Sequence, residues 1–414
     1  NSAALELAGV DADTPDVDGG EIVRDGERRP TGILKDNAMA LVASAVPAPG
    51  EALRDRQVRA AMAYVASNGV TTVHDMGSFA DMAAYRRLHA DDALITRIYS
   101  VVPLAEWQTL VQEVAANGTG DEWLRIGGLK GFMDGSLGSH TAAFFEPFTD
   151  TPDDRGLYVS DPADVREWVA AADGAGLHVM IHAIGDRAID ELLDIYAELG
   201  AGAGAERPAE RGAEPAATST AAPGAERASG GDAGASRERR LRMEHAQHIR
   251  PADIPRFTEL GVIASMQPYH AIDDGRWAEA VIGPERIQTT YAFRSLLDAG
   301  ARLAFGSDWP VAPATPLEGI YAAVTRRTLD GATPDGWVPE QEITVEEALR
   351  AYTADAAYAS FDEDRKGMLR PGWLADMVLV DRDLTAVPPE TLGDARVLAT
   401  IVGGEVVFEA GGEP

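Results

Sequence analysis

The 414-residue sequence contains no cysteine. Neither a disulfide framework nor a thiolate metal site can form, and redox chemistry through thiols is excluded. Lysine is almost absent too: Lys35, Lys130 and Lys366 are the only ones, and arginine carries the remaining positive charge. No run of about 18 apolar residues occurs that could cross a bilayer. The opening NSAALELAGVDADTPD also lacks the basic stretch that begins a signal peptide. These absences predict a soluble, cytoplasmic protein. There is no His-x-His pair either, and the chain opens on Asn1 rather than Met.

Acidic residues dominate what is present, with 67 Asp and Glu against 36 Lys and Arg and a formal net charge of -31 spread along the chain. Such a field repels nucleic acid and anionic membrane surfaces, which leaves a small-molecule substrate as the expected partner; a homo-oligomer is compatible with it. A surface of this kind suits high salt, where screening shortens the range of self-repulsion, although an ordinary acidic cytosolic protein is the plainer alternative. The 45% hydrophobic share can fill one β/α barrel of about 250 residues plus a small module.

The most informative pattern is a set of strand-like segments that each end in a metal-ligand type. They are Lys130 in GLKGFMDG, His182 in HVMIHAIGD, His245 in LRMEHAQH and Asp308 in ARLAFGSDWP. Apolar strands gain nothing from such residues in a core, whereas the carboxyl ends of barrel strands are where catalytic groups collect. Strand-like runs recur at GVTTVHD, ITRIYSVV, LRIGGLKGFM, LHVMIHAI, LRMEHAQ, GVIASMQ and ARLAFGS. Helical stretches separate most of them, at 51–68, 164–173, 186–199 and 284–299. This repeated strand-helix order predicts a parallel sheet and a TIM-like α/β barrel. Seven strands are visible where closure needs eight, so the first barrel strand is expected to be missing.

Three stretches depart from the alternation. Residues 1–50 read as an irregular segment, and residues 200–240 collapse to Ala, Gly, Pro, Glu, Ser and Arg. That composition marks a flexible insertion within the barrel of residues 51–362, in a loop away from the strand carboxyl ends. Residues 363–414 contain short strands and a Gly403-Gly404 turn, the pattern of a small β-sandwich module.

Each candidate has a functional and a structural reading. Burying the Lys130 ammonium among apolar and glycine residues is costly and favours a neutral or modified amine; the alternative is a pairing with Asp134. His182 and His245 stand where strands give way to loops. His178, four residues before His182, reads as packing, and Glu244 should point away from His245 because side chains alternate along a strand. EHAQH is not the HExxH of helical zinc proteases. Asp308 can bind metal and shuttle a proton, or simply cap a helix. His74, Asp134, His140, Arg187 and Gln267 are candidates for substrate or supporting contacts, as is His270.

The strings PTGILKD, GVTTVHDMG, LKGFMDGSLGS, HAIGDRAID, RMEHAQ, FGSDWPV and RPGWLADMVLVDRDL resemble, in this order, amidohydrolase family 3. That is the branch of the amidohydrolase superfamily that includes N-substituted formamide deformylases. The resemblance implies a distorted β/α barrel, a small composite β-sandwich, and one or two divalent ions, most simply zinc. It further implies that Lys130, carboxylated if it bridges two ions, His182 and His245 are ligands and that Asp308 is the acid/base. The family's His-x-His strand has no counterpart here.

The expected reaction is hydrolysis of a non-peptide C–N bond in an amide or formamide, through a metal-activated hydroxide with Asp308 moving the proton. Two alternatives stand beside it: an inactive remnant that lacks two ligands, and a metal-free glycosidase using Asp134 and Asp308. The surface reading carries its own test. Raising KCl from about 0.1 M to about 2 M is expected to raise the midpoint of thermal unfolding, because screening relieves self-repulsion. A midpoint that falls steadily with salt contradicts adaptation to high salt.

Overall fold

The computed structural model describes residues 1–200 and 238–411. Twelve strands occur among them. β1 (Gly20–Arg24) and β2 (Pro30–Asp36) form an antiparallel hairpin. β3 (Thr72–Met76), β4 (Arg97–Pro103), β5 (Leu124–Phe132), β6 (His178–Ala183), β7 (Arg242–His245), β8 (Ile263–Met266) and β9 (Arg302–Phe305) follow. β10 (Met377–Val380), β11 (Val397–Val402) and β12 (Glu405–Glu409) close the series.

The strands β3 to β9 form one seven-stranded parallel sheet in sequence order. This curled sheet is that of a TIM-like barrel, and it coincides with the seven runs read from sequence. Among the described residues β3 and β9 are its unpaired edges. Because every strand runs the same way, all carboxyl ends share one rim, which is why residues far apart in sequence can meet there.

The helices obey ordinary amphipathic logic. In Glu51–Ser67 the buried residues are Val58, Met62, Val65 and Ala66, one stripe at helical spacing. In Asp186–Glu198 the stripe is Ile189, Leu192, Leu193 and Tyr196, and the Tyr196 hydroxyl donates to the Arg242 carbonyl of β7 at 2.8 Å. Capping boxes at Ser78 with Asp81 and at Thr344 with Glu347 fix two helix starts. No helix among the described residues is long and apolar enough to cross a membrane.

Two expectations are corrected. The first 50 residues are not irregular: a helix Ser2–Ala8, the β1–β2 hairpin and a short helix Met39–Ala43 pack around Val10, Ile22 and Ala38. The helix expected over 284–299 is broken into Ala278–Arg286, a 3-10 turn Ile287–Thr289 and Phe293–Asp298. Tertiary anchoring of Tyr291 overrides the periodicity there. This fully buried residue takes φ 51°, gives its N–H to the Gln247 carbonyl at 2.7 Å and its hydroxyl to Asp274. The carboxyl-terminal module contains a three-stranded antiparallel sheet, consistent with the small β module read over 363–414. Of the low-complexity insertion read over 200–240, residues 201–237 lie outside the described residues.

One buried ion pair ties that module to the barrel. Arg97, in β4 and 2% exposed, places Nε and Nη2 at 2.7 and 2.9 Å from the two Asp376 oxygens, with its guanidinium 4.6 Å over the Trp123 ring. Thr400 adds a buried bond by donating its hydroxyl to the Ala66 carbonyl at 2.7 Å. Removing one partner leaves the other charge buried and unpaired, so Asp376→Ala is expected to cost about 3–5 kcal/mol in urea unfolding. A loss below about 1 kcal/mol would show that the pair does not hold the module in place.

Candidate metal centre

The rim of the sheet gathers five polar groups. Lys130 lies near the end of β5, one step before Phe132 on the row that faces the cavity; its Nζ has no hydrogen-bond partner and lies 4.3 Å over the Phe132 ring. Burial pushes the ammonium down to about 8, against the pull of Glu244 and Asp308. The Asp134 pairing is not made. Asp134, fully buried, instead accepts three backbone N–H groups: Ala143 at 2.8 Å, Ile184 at 3.0 Å and Gly185 at 2.8 Å. Burial still pushes its carboxyl up to about 7. A carboxylate committed in this way cannot serve as a general acid or base on substrate, which removes the paired-carboxylate glycosidase reading.

His182 sits between those anchors. Its Nε2 lies 3.0 Å from the Gly135 carbonyl, so that nitrogen carries the proton and Nδ1 keeps its lone pair. The glycines here are required by close approach: a Cβ on Gly185 would stand 2.2 Å from the Ala143 carbonyl oxygen, and one on Gly135 would stand 2.0 Å from Thr141 Oγ1. His245 is oriented from the opposite ring nitrogen. Its Nδ1 is 2.8 Å from Gln267 Oε1, and Gln267 Nε2 donates to the Ser265 carbonyl at 3.2 Å, which leaves His245 Nε2 free. Burial holds His182 well below its ordinary range and takes His245 down to about 4, so both rings are neutral donors. The rings are 4.5 Å apart.

Asp308 completes the set with a residue that the sequence placed only among loop candidates. His270 Nε2 is 3.1 Å from Asp308 Oδ2, and ligand atoms of His245, His270 and Asp308 all lie within 4.8 Å of one another. Burial opposes ionisation of Asp308, but the His270 bond and the neighbouring His245 and Lys130 outweigh it and lower its pKa. The available signal for His270 was its place in QPYH, one turn after β8 ends.

Local backbone geometry also explains a misread orientation. His245 and Ala246 take φ 72° and 45°, left-handed values that break strand alternation. Glu244 therefore does not point away: it and His245 both line the central cavity of about 1490 Å³. Glu244 pairs with Arg242 at 2.9 Å, and Arg242 reaches His74 Nδ1 at 2.8 Å and Ser265 Oγ at 3.0 Å. His74 thus belongs to a charged layer beneath the donors. His178 bonds the Tyr99 hydroxyl at 3.0 Å and the Arg240 carbonyl at 2.8 Å, deeper in the barrel.

Two expected substrate contacts lie elsewhere. His140 Nε2 is 3.0 Å from both Asp150 oxygens, and Arg187 lies 4.8 Å over the Tyr158 ring; neither lines the cavity. The loops that carry them fold back onto the body, a feature no strand-end pattern reports. The donor set fits a divalent cation: two neutral imidazoles with one ring nitrogen each left for a ligand, a carboxylate and a buried amine without a partner.

The Lys130 environment yields a pH prediction for protein stripped of metal. Below about 8 the folded state pays for a buried charge that the unfolded chain does not, and the penalty fades as pH approaches the ordinary lysine value of 10.5. Lys130→Met should therefore be more stable than wild type at neutral pH by up to about 3 kcal/mol. The gap should close between pH about 8 and about 10 in urea unfolding. A gap independent of pH would contradict the buried ammonium.

Comparison with known proteins agrees with this geometry. A family model described as the amidohydrolase family matches residues 1–408. The chain is 37% identical to Protein LONG AFTER FAR-RED 3 of Arabidopsis thaliana, over 99% of this chain and 66% of that protein. It is 28% identical to the N-substituted formamide deformylase of Arthrobacter pascens, over 100% of this chain and 71% of that enzyme. It spans about two thirds of the length of these curated relatives. An uncharacterized metal-dependent hydrolase from Pyrococcus horikoshii OT3 superposes with a TM-score of 0.72 at 26% identity, covering 94% of this chain and 70% of that one. The chain therefore belongs to the amidohydrolase family of metal-dependent hydrolases.

Proposed function

We propose that this protein hydrolyses a non-peptide C–N bond in a small amide or formamide. The observation that carries the reading is that Lys130, His182, His245, His270 and Asp308 line one cavity, with ligand atoms of His245, His270 and Asp308 within 4.8 Å of one another and one ring nitrogen each of His182 and His245 held by a protein acceptor. Lys130, His182, His245 and Asp308 would hold one or two divalent ions, zinc by the chemistry of the donors, with His270 as a further donor. Such an ion supplies Lewis acidity that acidifies a water and polarises a carbonyl. A partner-free amine at Lys130 also suits carboxylation, which would convert it to an anionic ligand.

Asp308 performs the proton movement in this reading. Its lowered pKa makes it a carboxylate at neutral pH, able to accept the proton of the attacking water. His270 at 3.1 Å fixes one oxygen and leaves the other for that task. The same proton then passes to the leaving nitrogen, which departs as an amine. Asp134 and Gln267 support the reaction by orienting segments and rings, and contribute no proton.

One observation favours a second reading, a protein that binds without catalysis: among the described residues β3 and β9 do not pair with each other. Metal content and turnover separate the two. Near-stoichiometric divalent metal is expected in purified wild type by mass spectrometry, with loss in His182→Ala. Asp308→Asn should slow amide hydrolysis by about 10²- to 10⁴-fold. A folded wild-type protein with neither metal nor hydrolysis of any amide would leave only the binding reading.

A further inference from the structure

Asp36 closes β2, and three of its features are each costly. It takes φ 46°, in the left-handed region that a residue with a side chain rarely adopts. Burial pushes its carboxyl above the ordinary aspartate range, against Lys35 and the Thr141 hydroxyl, which donates to it. Its Oδ2 is buried and has no hydrogen-bond partner. Such costs gathered on one residue point to geometry kept for function rather than for stability.

What Asp36 touches says which function. A Cβ on Gly135 would stand 2.7 Å from Asp36 Oδ1 as well as 2.0 Å from Thr141 Oγ1, so both oxygens press on that glycine. Thr141, 1% exposed, takes the Ser136 N–H on its hydroxyl at 3.1 Å and the Gly135 N–H on its carbonyl at 3.1 Å. Because Thr141 gives its one hydroxyl proton to Asp36, Ser139 at 2.6 Å must be the donor to Thr141, and the sense of the turn's hydroxyls is fixed. The Gly135 carbonyl lies 3.0 Å from His182 Nε2. The next residue of the hairpin adds a second grip. Asn37 Nδ2 donates to the Val159 carbonyl at 2.8 Å, and the Val159 N–H donates to the carbonyl of Met133, directly before Asp134, at 2.9 Å.

We infer that Asp36 is a positioning residue for the metal centre: it braces the Gly135–Thr141 turn from outside the barrel and so holds the Gly135 carbonyl where it orients His182. The amino-terminal hairpin, which supplies no donor itself, thereby acts on the donors through one carboxylate. This rests on the reading of His182 as a metal ligand and deepens it. Partners that orient a ligand in this way change metal affinity by about 10- to 100-fold when removed.

The test follows the Nε2–H protons of His182 and His178 by hydrogen exchange in NMR of the metal-free full chain, in wild type, Asp36→Gly and Asp36→Asn. Glycine removes the carboxylate without straining the left-handed backbone, whereas asparagine keeps an acceptor oxygen for Thr141. Exchange at His182 should be at least about tenfold faster in Asp36→Gly and within about twofold of wild type in Asp36→Asn. His178, held by the Arg240 carbonyl at 2.8 Å deeper in the barrel, should exchange alike in all three. In zinc-loaded protein, Asp36→Gly should release zinc to a chelator at least about tenfold faster than wild type. Equal His182 exchange in wild type and Asp36→Gly overturns the inference, as does an acceleration that His178 shares, which is general loosening. If wild type holds no zinc but the His182 contrast is present and asparagine reverses it, the hydrolase reading fails while the role of Asp36 stands. If zinc is held and the contrast is absent, the hydrolase reading stands and the role of Asp36 fails.

Discussion

The site depends on one buried carboxylate. Asp134 has no solvent contact, yet it accepts three backbone N–H groups from two separate segments, at Ala143 and at Ile184 and Gly185. Those amides would otherwise be orphaned where the chain leaves β6, and an unpaired buried N–H costs about 1–3 kcal/mol. By collecting them, Asp134 splices the loop after β5 to the turn after β6. The imidazole of His182 is then held between that splice and the Gly135 carbonyl, with no freedom to rotate. A carboxylate is better suited than an amide to this position, because only it offers acceptors on both oxygens.

Below the donors lies a layer that has little in common with an ordinary barrel core. Arg242, Glu244, His74 and Ser265 form one connected network, and Tyr99 with His178 forms another beneath it. Burial and Arg242 push His74 well below its ordinary range, so that ring is neutral and accepts from the guanidinium. Glu244 is kept ionised by Arg242 and Lys130 despite burial. A satisfied polar layer of this kind is rigid, since loss of any member strands the others in a low-dielectric space. It gives the donors above it a floor that cannot shift.

The strands were readable because each apolar run ends where polarity begins, and Lys130, His182, His245 and Asp308 mark those ends. Sequence also revealed the order of the sheet, as parallel connections leave few alternatives. What stayed hidden depends on backbone angles and on loops. Strand alternation sends Glu244 outward on paper, but the left-handed turn at His245 cancels it. His270 was ranked with His140 because the sequence reads both as loop residues; the fold places His270 in a short helix, Pro268–Asp274, turned to Asp308, and His140 against Asp150. The hairpin of GEIVR and PTGILKD was passed over because its glycines and charges resemble an irregular segment, and its strands pair only with each other.

The tie between Arg97 and Asp376 has a consequence for how the chain is made. The two residues are 279 positions apart, and Thr400 reaches back 334 positions to Ala66. At a synthesis rate of about 5–20 residues per second, the carboxylate that neutralises Arg97 emerges on the order of tens of seconds after the arginine does. Throughout that interval β4 carries a cation on a surface destined to be interior. The early strands can pair but cannot settle into their final packing. The carboxyl-terminal module thus acts as a latch on strands made long before it.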